Sequence, residues 1–128
     1  GPDAESAPWV EAAARAGGLA GAVARKERRD DRSVVIHLPE VDVAGRCVVL
    51  VDDIASTGRT LARAAEALYA RGATEVHALV THALFAGDAE AHLRAAGVRS
   101  LHSTDSIAHG SNAVALAGLL ARACNDLR

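Results

Sequence analysis

Residues 48–60 read Val48-Val49-Leu50-Val51-Asp52-Asp53-Ile54-Ala55-Ser56-Thr57-Gly58-Arg59-Thr60. The run Val48 to Val51 is short, apolar and β-branched, which predicts a strand buried on both faces of a parallel sheet. Asp52 and Asp53 then fall at its carboxyl end, the edge at which open α/β sheets hold ligands. Leu61, Ala64, Ala65, Leu68 and Tyr69 recur at helical spacing, so Ala55 to Thr60 form the turn into a helix. Free backbone N–H groups and the positive end of the helix dipole attract an anion there.

Each residue type in this turn has a use. Ser56, Thr57 and Thr60 bring hydroxyl donors, and Gly58 lets a backbone approach an oxyanion without a Cβ in the way. The two aspartates have the wrong sign to bind phosphate directly. They suit vicinal sugar hydroxyls, or a magnesium ion that does the neutralising. The unit therefore predicts a ligand with a phosphate at one end and a diol at the other, as in a pentose phosphate. An acidic pair after a strand can also cap a helix, but capping needs one such residue rather than six matched positions.

Asp52-Asp53 followed by Ser56-Thr57-Gly58 and Thr60, after an apolar strand, resembles the phosphoribosyl diphosphate (PRPP) motif. That motif occurs in type I phosphoribosyltransferases and in ribose-phosphate pyrophosphokinases, the PRPP synthetases. Other segments are similar to the C-terminal half of the synthetases in the same order: Gly1 to Ser6, Trp9-Val10, Arg25 to Arg28, Thr81 to Ala89, Thr104 to Ile107 and Leu119 to Ala121. The resemblance spans nearly the whole chain, and the family's first half has no counterpart in it.

Composition fits a single domain over residues 1–128, half of them hydrophobic and only 2% aromatic. A net charge of −2 gives no electrostatic footprint for nucleic acid or an anionic membrane. With no apolar run of membrane-spanning length and no signal peptide, the expected location is cytoplasmic. Cys47 and Cys124 are expected to be buried small residues in a reducing compartment, since a metal site needs more ligands nearby.

Along the chain, Ser6 caps a helix through about Ala16 that Gly17-Gly18 ends. Ala20–Ala24 reads as a short strand, Ser33–His37 as another, and Pro39–Gly45 as a connector. After the central strand and helix come a strand at Glu75–Thr81, a helix at Asp88–Ala96, a strand at Arg99–His102 and a final helix at Ala113–Asp126. This alternation predicts an α/β fold, a mostly parallel sheet with helices on both faces. The resemblance implies its phosphoribosyltransferase-like form.

Arg25 to Arg32 carries five basic and three acidic residues. Such a run is either a solvated connection or a mobile flap over a phosphoryl-transfer site, where Lys and Arg stabilise the moving group. In the synthetases a catalytic loop opens with a Lys-x-Arg pair, which falls on Lys26 and Arg28. Asp3 lies in a loop similar to the family's pyrophosphate-binding loop, although Glu5 and Ser6 replace its usual glycines. Arg59 stands where Gly is common and either meets phosphate or faces solvent. His37, His77, His92 and His102 read as structural or surface residues. His82 lies at a ligand-bearing strand end without metal spacing, and His109 receives no role. Leu84 and Phe85 are expected on an exposed loop, suited to a subunit contact in a homo-oligomer.

The activity implied by the resemblance is diphosphoryl transfer from MgATP to the C1 hydroxyl of ribose 5-phosphate, giving PRPP and AMP. Ser56, Thr57, Gly58, Arg59 and Thr60 then hold the 5-phosphate, Asp52 and Asp53 the ribose hydroxyls and the associated Mg²⁺, and Lys26 and Arg28 the transferring group. The ATP-binding residues and a metal-binding His belong to the absent half, so the isolated chain is expected to bind ribose 5-phosphate or PRPP without making PRPP. A PRPP-consuming phosphoribosyltransferase and a non-catalytic sugar-phosphate-binding module are the alternatives.

Overall fold

The computed structural model describes residues 1–28 and 34–127. Its centre is a four-stranded parallel sheet formed by β3 (Cys47–Ala55), β4 (Glu75–Ala83), β5 (Val98–Thr104) and β6 (Asn112–Val114), paired in that order. Helix α2 (Arg59–Ala70) connects β3 to β4, and α3 (Ala89–Ala95) connects β4 to β5. The α/β class expected from the strand-helix alternation is therefore present.

The core explains why α2 lies where it does. Leu61, Ala64, Ala65 and Leu68 form one buried stripe of the helix, and Leu50, Val76, Ala78 and Val80 meet it from alternate positions of β3 and β4. Leu93 of α3 is fully buried in the same cluster. Small alanines on α2 let the helix approach the sheet closely, so an Ala-rich chain can still fill its interior. Tyr69 ties the end of α2 to the sheet: its hydroxyl donates to Gly97 O at 2.7 Å and accepts from Val76 N–H at 3.1 Å.

Before the sheet come a 3-10 turn at Ala4–Ser6, helix α1 (Ala7–Gly17) with Pro8 in its first turn, and a hairpin of β1 (Arg25–Arg28) and β2 (Val34–His37). The hairpin is antiparallel, with Lys26 opposite Ile36. Helix α1 packs against β3, and β2 against α2. Helix α4 (Ala117–Asp126) ends the described chain and buries none of its residues.

Several expectations need correction. Val48 to Val51 is not buried on both faces: Leu50 is buried on one, whereas Val49 on the other stays 49% exposed. The strand also continues through the aspartates to Ala55, since Asp52 and Ile54 keep their register with Val80 and His82. Ala20–Ala24 forms no strand: its ladder stops at two bonds, Ala24 N–H to Gly1 O at 2.9 Å and the Gly1 amine to Ala22 O at 2.7 Å. Arg25–Arg28 is a strand paired with β2, while positions 29–32 of that charged run lie outside the described residues.

The last segment is divided. Asn112–Val114 is a strand and α4 begins only at Ala117, because a three-residue strand is too short to show a period of two. Both cysteines are exposed, Cys47 at the start of an outer strand and Cys124 on the unburied α4. Phe85 is partly buried against the core, with its ring 4.8 Å from that of His109; only Leu84 of that pair is exposed.

Candidate functional site

At the carboxyl end of β3 a cavity of about 310 Å³ opens between the chain start, β1 and the turn into α2. It gathers Asp3, Lys26, Asp52, Asp53, Ser56, Thr57, Gly58, Arg59 and Thr60, and adds Glu5. Residues from three separate stretches thus meet at one place. Arg28, at the far end of β1, does not line this cavity and is exposed.

The turn is held from two sides. Gly58 caps α2 with φ at 71°, a conformation that disfavours a side chain, and its carbonyl accepts from Ala62 N–H at 2.9 Å. A Cβ there would stand 3.1 Å from Ala89 O and 3.2 Å from Leu93 Cγ. Gly58 therefore serves the close packing of α3 as well as any ligand. From the other side Phe85 N–H donates to Ala55 O at 2.8 Å and Ala86 N–H to Ser56 O at 2.9 Å. Sequence spacing gave no sign of this brace, which comes from the loop after β4. Ser56, Thr57 and Arg59 remain exposed, with side chains open to a ligand.

Both aspartates line the cavity, and burial acts on Asp52. Asp52 is half-buried, and desolvation pushes its carboxyl up to about 6; the neighbouring charges of Asp3 and Asp53 add to this, against a bond from Asp53 N–H. That bond is 3.0 Å to Asp52 Oδ1, while Asp53 Oδ1 accepts from Ile54 N–H at 2.7 Å. Each aspartate keeps its second oxygen for a hydroxyl or a cation.

Asp3 is buried and receives two contacts, Glu5 N–H at 3.2 Å and the Lys26 ammonium at 3.3 Å. The cavity lining holds four carboxylates, Asp3, Glu5, Asp52 and Asp53, against two cations, Lys26 and Arg59. A phosphorylated ligand entering it needs additional positive charge. The aspartate oxygens are hard donors that fit magnesium, with water and ligand oxygens completing its octahedron.

Nearby polar groups are satisfied within the fold. His82 Nδ1 lies 2.8 Å from Ser106 Oγ, and the Thr104 and Ser106 hydroxyls both donate to Thr81 O. His109, which sequence reasoning left without a role, bridges Ser111 Oγ and Glu90 Oε1 at 2.8 and 3.1 Å. His37 pairs with Glu27 across the hairpin.

Comparison with known proteins agrees with this fold. Residues 1–118 match the family model described as the phosphoribosyl transferase domain. Ribose-phosphate pyrophosphokinase 2 of Archaeoglobus fulgidus is 39% identical over 120 residues, which are 94% of this chain and 44% of that protein. The ribose-phosphate pyrophosphokinase of Methanopyrus kandleri is 40% identical over 102 residues, 80% of this chain and 35% of that one. Among solved structures, phosphoribosylpyrophosphate synthetase from Mycobacterium smegmatis superposes with a TM-score of 0.72 at 27% identity, covering 98% of this chain and 43% of that chain. The chain thus spans less than half the length of these relatives.

Proposed function

Since the chain belongs to the family of phosphoribosyl transferase domains, we propose that it is a ribose-phosphate pyrophosphokinase-like domain whose cavity binds ribose 5-phosphate and PRPP. The observation that carries this reading is the junction of Asp52 and Asp53 with the Ser56–Thr60 turn at the head of α2 in one cavity. A phosphate placed at the turn meets backbone N–H groups and hydroxyls. The ribose diol then lies toward the aspartates, which accept hydrogen bonds from its hydroxyls.

Asp52 and Asp53 would hold magnesium mainly through the ligand's own oxygens. The ion supplies charge neutralisation for the phosphates. In the whole enzyme the C1 hydroxyl oxygen bonds to the β-phosphorus of ATP, the bond from that phosphorus to the α–β bridging oxygen breaks, AMP leaves and the hydroxyl proton passes to solvent. Lys26, already at the cavity wall, is the residue of this chain set to steady the moving group. Its partner Asp3 holds it there. Arg28, exposed at the far end of β1, takes this role only if β1 rearranges around the ligand. The same reading carries a cytoplasmic location and assembly into homo-oligomers.

Calorimetry with ribose 5-phosphate, and with PRPP plus Mg²⁺, tests the proposal. Binding should fall at least tenfold in Asp52→Ala and in Asp53→Ala, and unchanged affinity in both variants would refute the site. In a longer protein carrying this domain, ATP-dependent AMP release identifies the pyrophosphokinase. Base-dependent release of pyrophosphate from PRPP would instead identify a phosphoribosyltransferase.

A further inference from the structure

At the opposite end of the sheet from the cavity, three metal-ligating side chains of different types meet. Cys47 opens β3 and Glu75 opens β4, and the two are direct partners in the parallel register. His77 follows Glu75 by two residues and so lies on the same face of the sheet. One donor atom from each, a thiol sulfur, a carboxylate oxygen and an imidazole nitrogen, all lie within 4.8 Å of one another. We propose that Cys47, Glu75 and His77 form a binding site for a borderline-soft divalent cation of the zinc type, with a fourth position open to water.

The donor set suits that class. Thiolate, imidazole and carboxylate are the protein ligands of zinc, at about 2.3, 2.0 and 2.1 Å, which for a tetrahedron places donors about 3.3–3.7 Å apart. His77 Nε2 and Glu75 Oε2 already stand 3.2 Å apart. The third donor, the Cys47 sulfur, lies within 4.8 Å of both on an exposed side chain that can rotate into the set. Magnesium and calcium, which favour all-oxygen sites, are disfavoured by the sulfur.

The surroundings orient the ligands. His77 Nδ1 is 2.7 Å from Ser100 Oγ, which in turn is 3.0 Å from His102 Nε2. With the proton on Nδ1 donated to Ser100, and the Ser100 hydroxyl donated to His102, Nε2 turns a lone pair toward Glu75. In that tautomer both atoms are acceptors and can ligate one cation. The opposite tautomer, with Nε2–H donating to Glu75, serves the metal-free chain. Arg99 holds the other Glu75 oxygen at 3.2 Å, leaving Oε2 for the metal. Such hydrogen-bonded support for a ligating histidine and carboxylate is the usual companion of a metal site. Binding takes the thiol proton to solvent, so affinity rises with pH.

Cobalt(II) is the probe. The wild-type chain should take up one Co²⁺ with a thiolate-to-cobalt absorption in the near ultraviolet, and Zn²⁺ should displace it. Cys47→Ser should abolish the band, and His77→Gln and Glu75→Gln should each weaken affinity at least tenfold. Cys124→Ser and the Asp52→Asn/Asp53→Asn pair should leave it intact. A wild-type chain without the band, or a band that survives Cys47→Ser, overturns the site; so does a metal shared between two chains in ultracentrifugation. A second measurement needs no variant: Zn²⁺ should slow alkylation of Cys47 relative to Cys124 in the same molecule, and equal slowing or none overturns the site.

Discussion

The Lys26 ammonium stands 3.3 Å from Asp3 Oδ2, joining strand β1 to the turn before α1. Both side chains are largely shielded, at 22% and 12% exposure. The pair fixes one wall of the cavity and keeps a cation beside the aspartates.

Replacing Lys26 with Met removes that cation and leaves Asp3 without its countercharge. The pair is intermediate between an exposed bridge and a buried one, so the loss should cost about 1 kcal/mol in urea unfolding at neutral pH.

Asp52 sets a pH dependence of unusual sign. Its folded pKa of about 6 lies above the ordinary value of 3.8. Between those values the folded state binds the extra proton, so this group's contribution to stability falls as pH rises from about 4 to 6 and stays low above. Asp52→Asn should therefore raise the urea midpoint at pH 7 and leave it nearly unchanged at pH 4. The same variant should lose Mg²⁺-dependent PRPP binding, and wild-type binding should weaken as pH falls through about 6. A midpoint at pH 7 that does not rise would count against a desolvated carboxylate.

Gly58→Ala should cost about 1–3 kcal/mol, because the backbone is left-handed and the added methyl meets Ala89 O and Leu93. Gly87 has φ of 60° with nothing within 4 Å of an added Cβ, so Gly87→Ala should cost only about 1 kcal/mol. Thermal unfolding of the two variants separates packing from backbone strain. PRPP affinity should fall in the first and hold in the second.

Tyr69→Phe removes a donor to Gly97 and leaves the fully buried Val76 with an unpaired N–H. The expected loss is about 1–3 kcal/mol of stability, with ligand affinity unchanged, since Tyr69 lies away from the cavity. Denaturant unfolding and calorimetry on the same sample check both halves.

How much of this was legible in the sequence depends on whether a signal was local. The strand, turn and helix of residues 48–70 could be read directly, because apolar periodicity and turn chemistry sit in one stretch. Lys26 was legible as a candidate only through resemblance; its strand was hidden because β1 pairs, among the described residues, only with β2 and has no apolar face. The extension of β3 through Asp52 and Asp53 was equally hidden, since charged residues at a ligand-bearing strand end break the apolar pattern without breaking the ladder. The brace from Phe85 and Ala86, and the meeting of Cys47 with Glu75 and His77, depend on how β3 and β4 align. No spacing within a single strand reports that alignment.

In the described sheet every parallel pairing joins a strand to the next one along the chain: Cys47 with Glu75, Val76 with Val98, Ser103 with Asn112. No strand of the four waits for a distant later segment to be inserted beside it. Parallel sheets are slow to fold when their pairings are remote, and loop closure becomes more costly with length. Here β3, α2 and β4 can close first and each later strand can add to an existing edge. The sheet can thus grow in the direction of synthesis, and the ligand-binding turn belongs to its first strand-helix-strand unit.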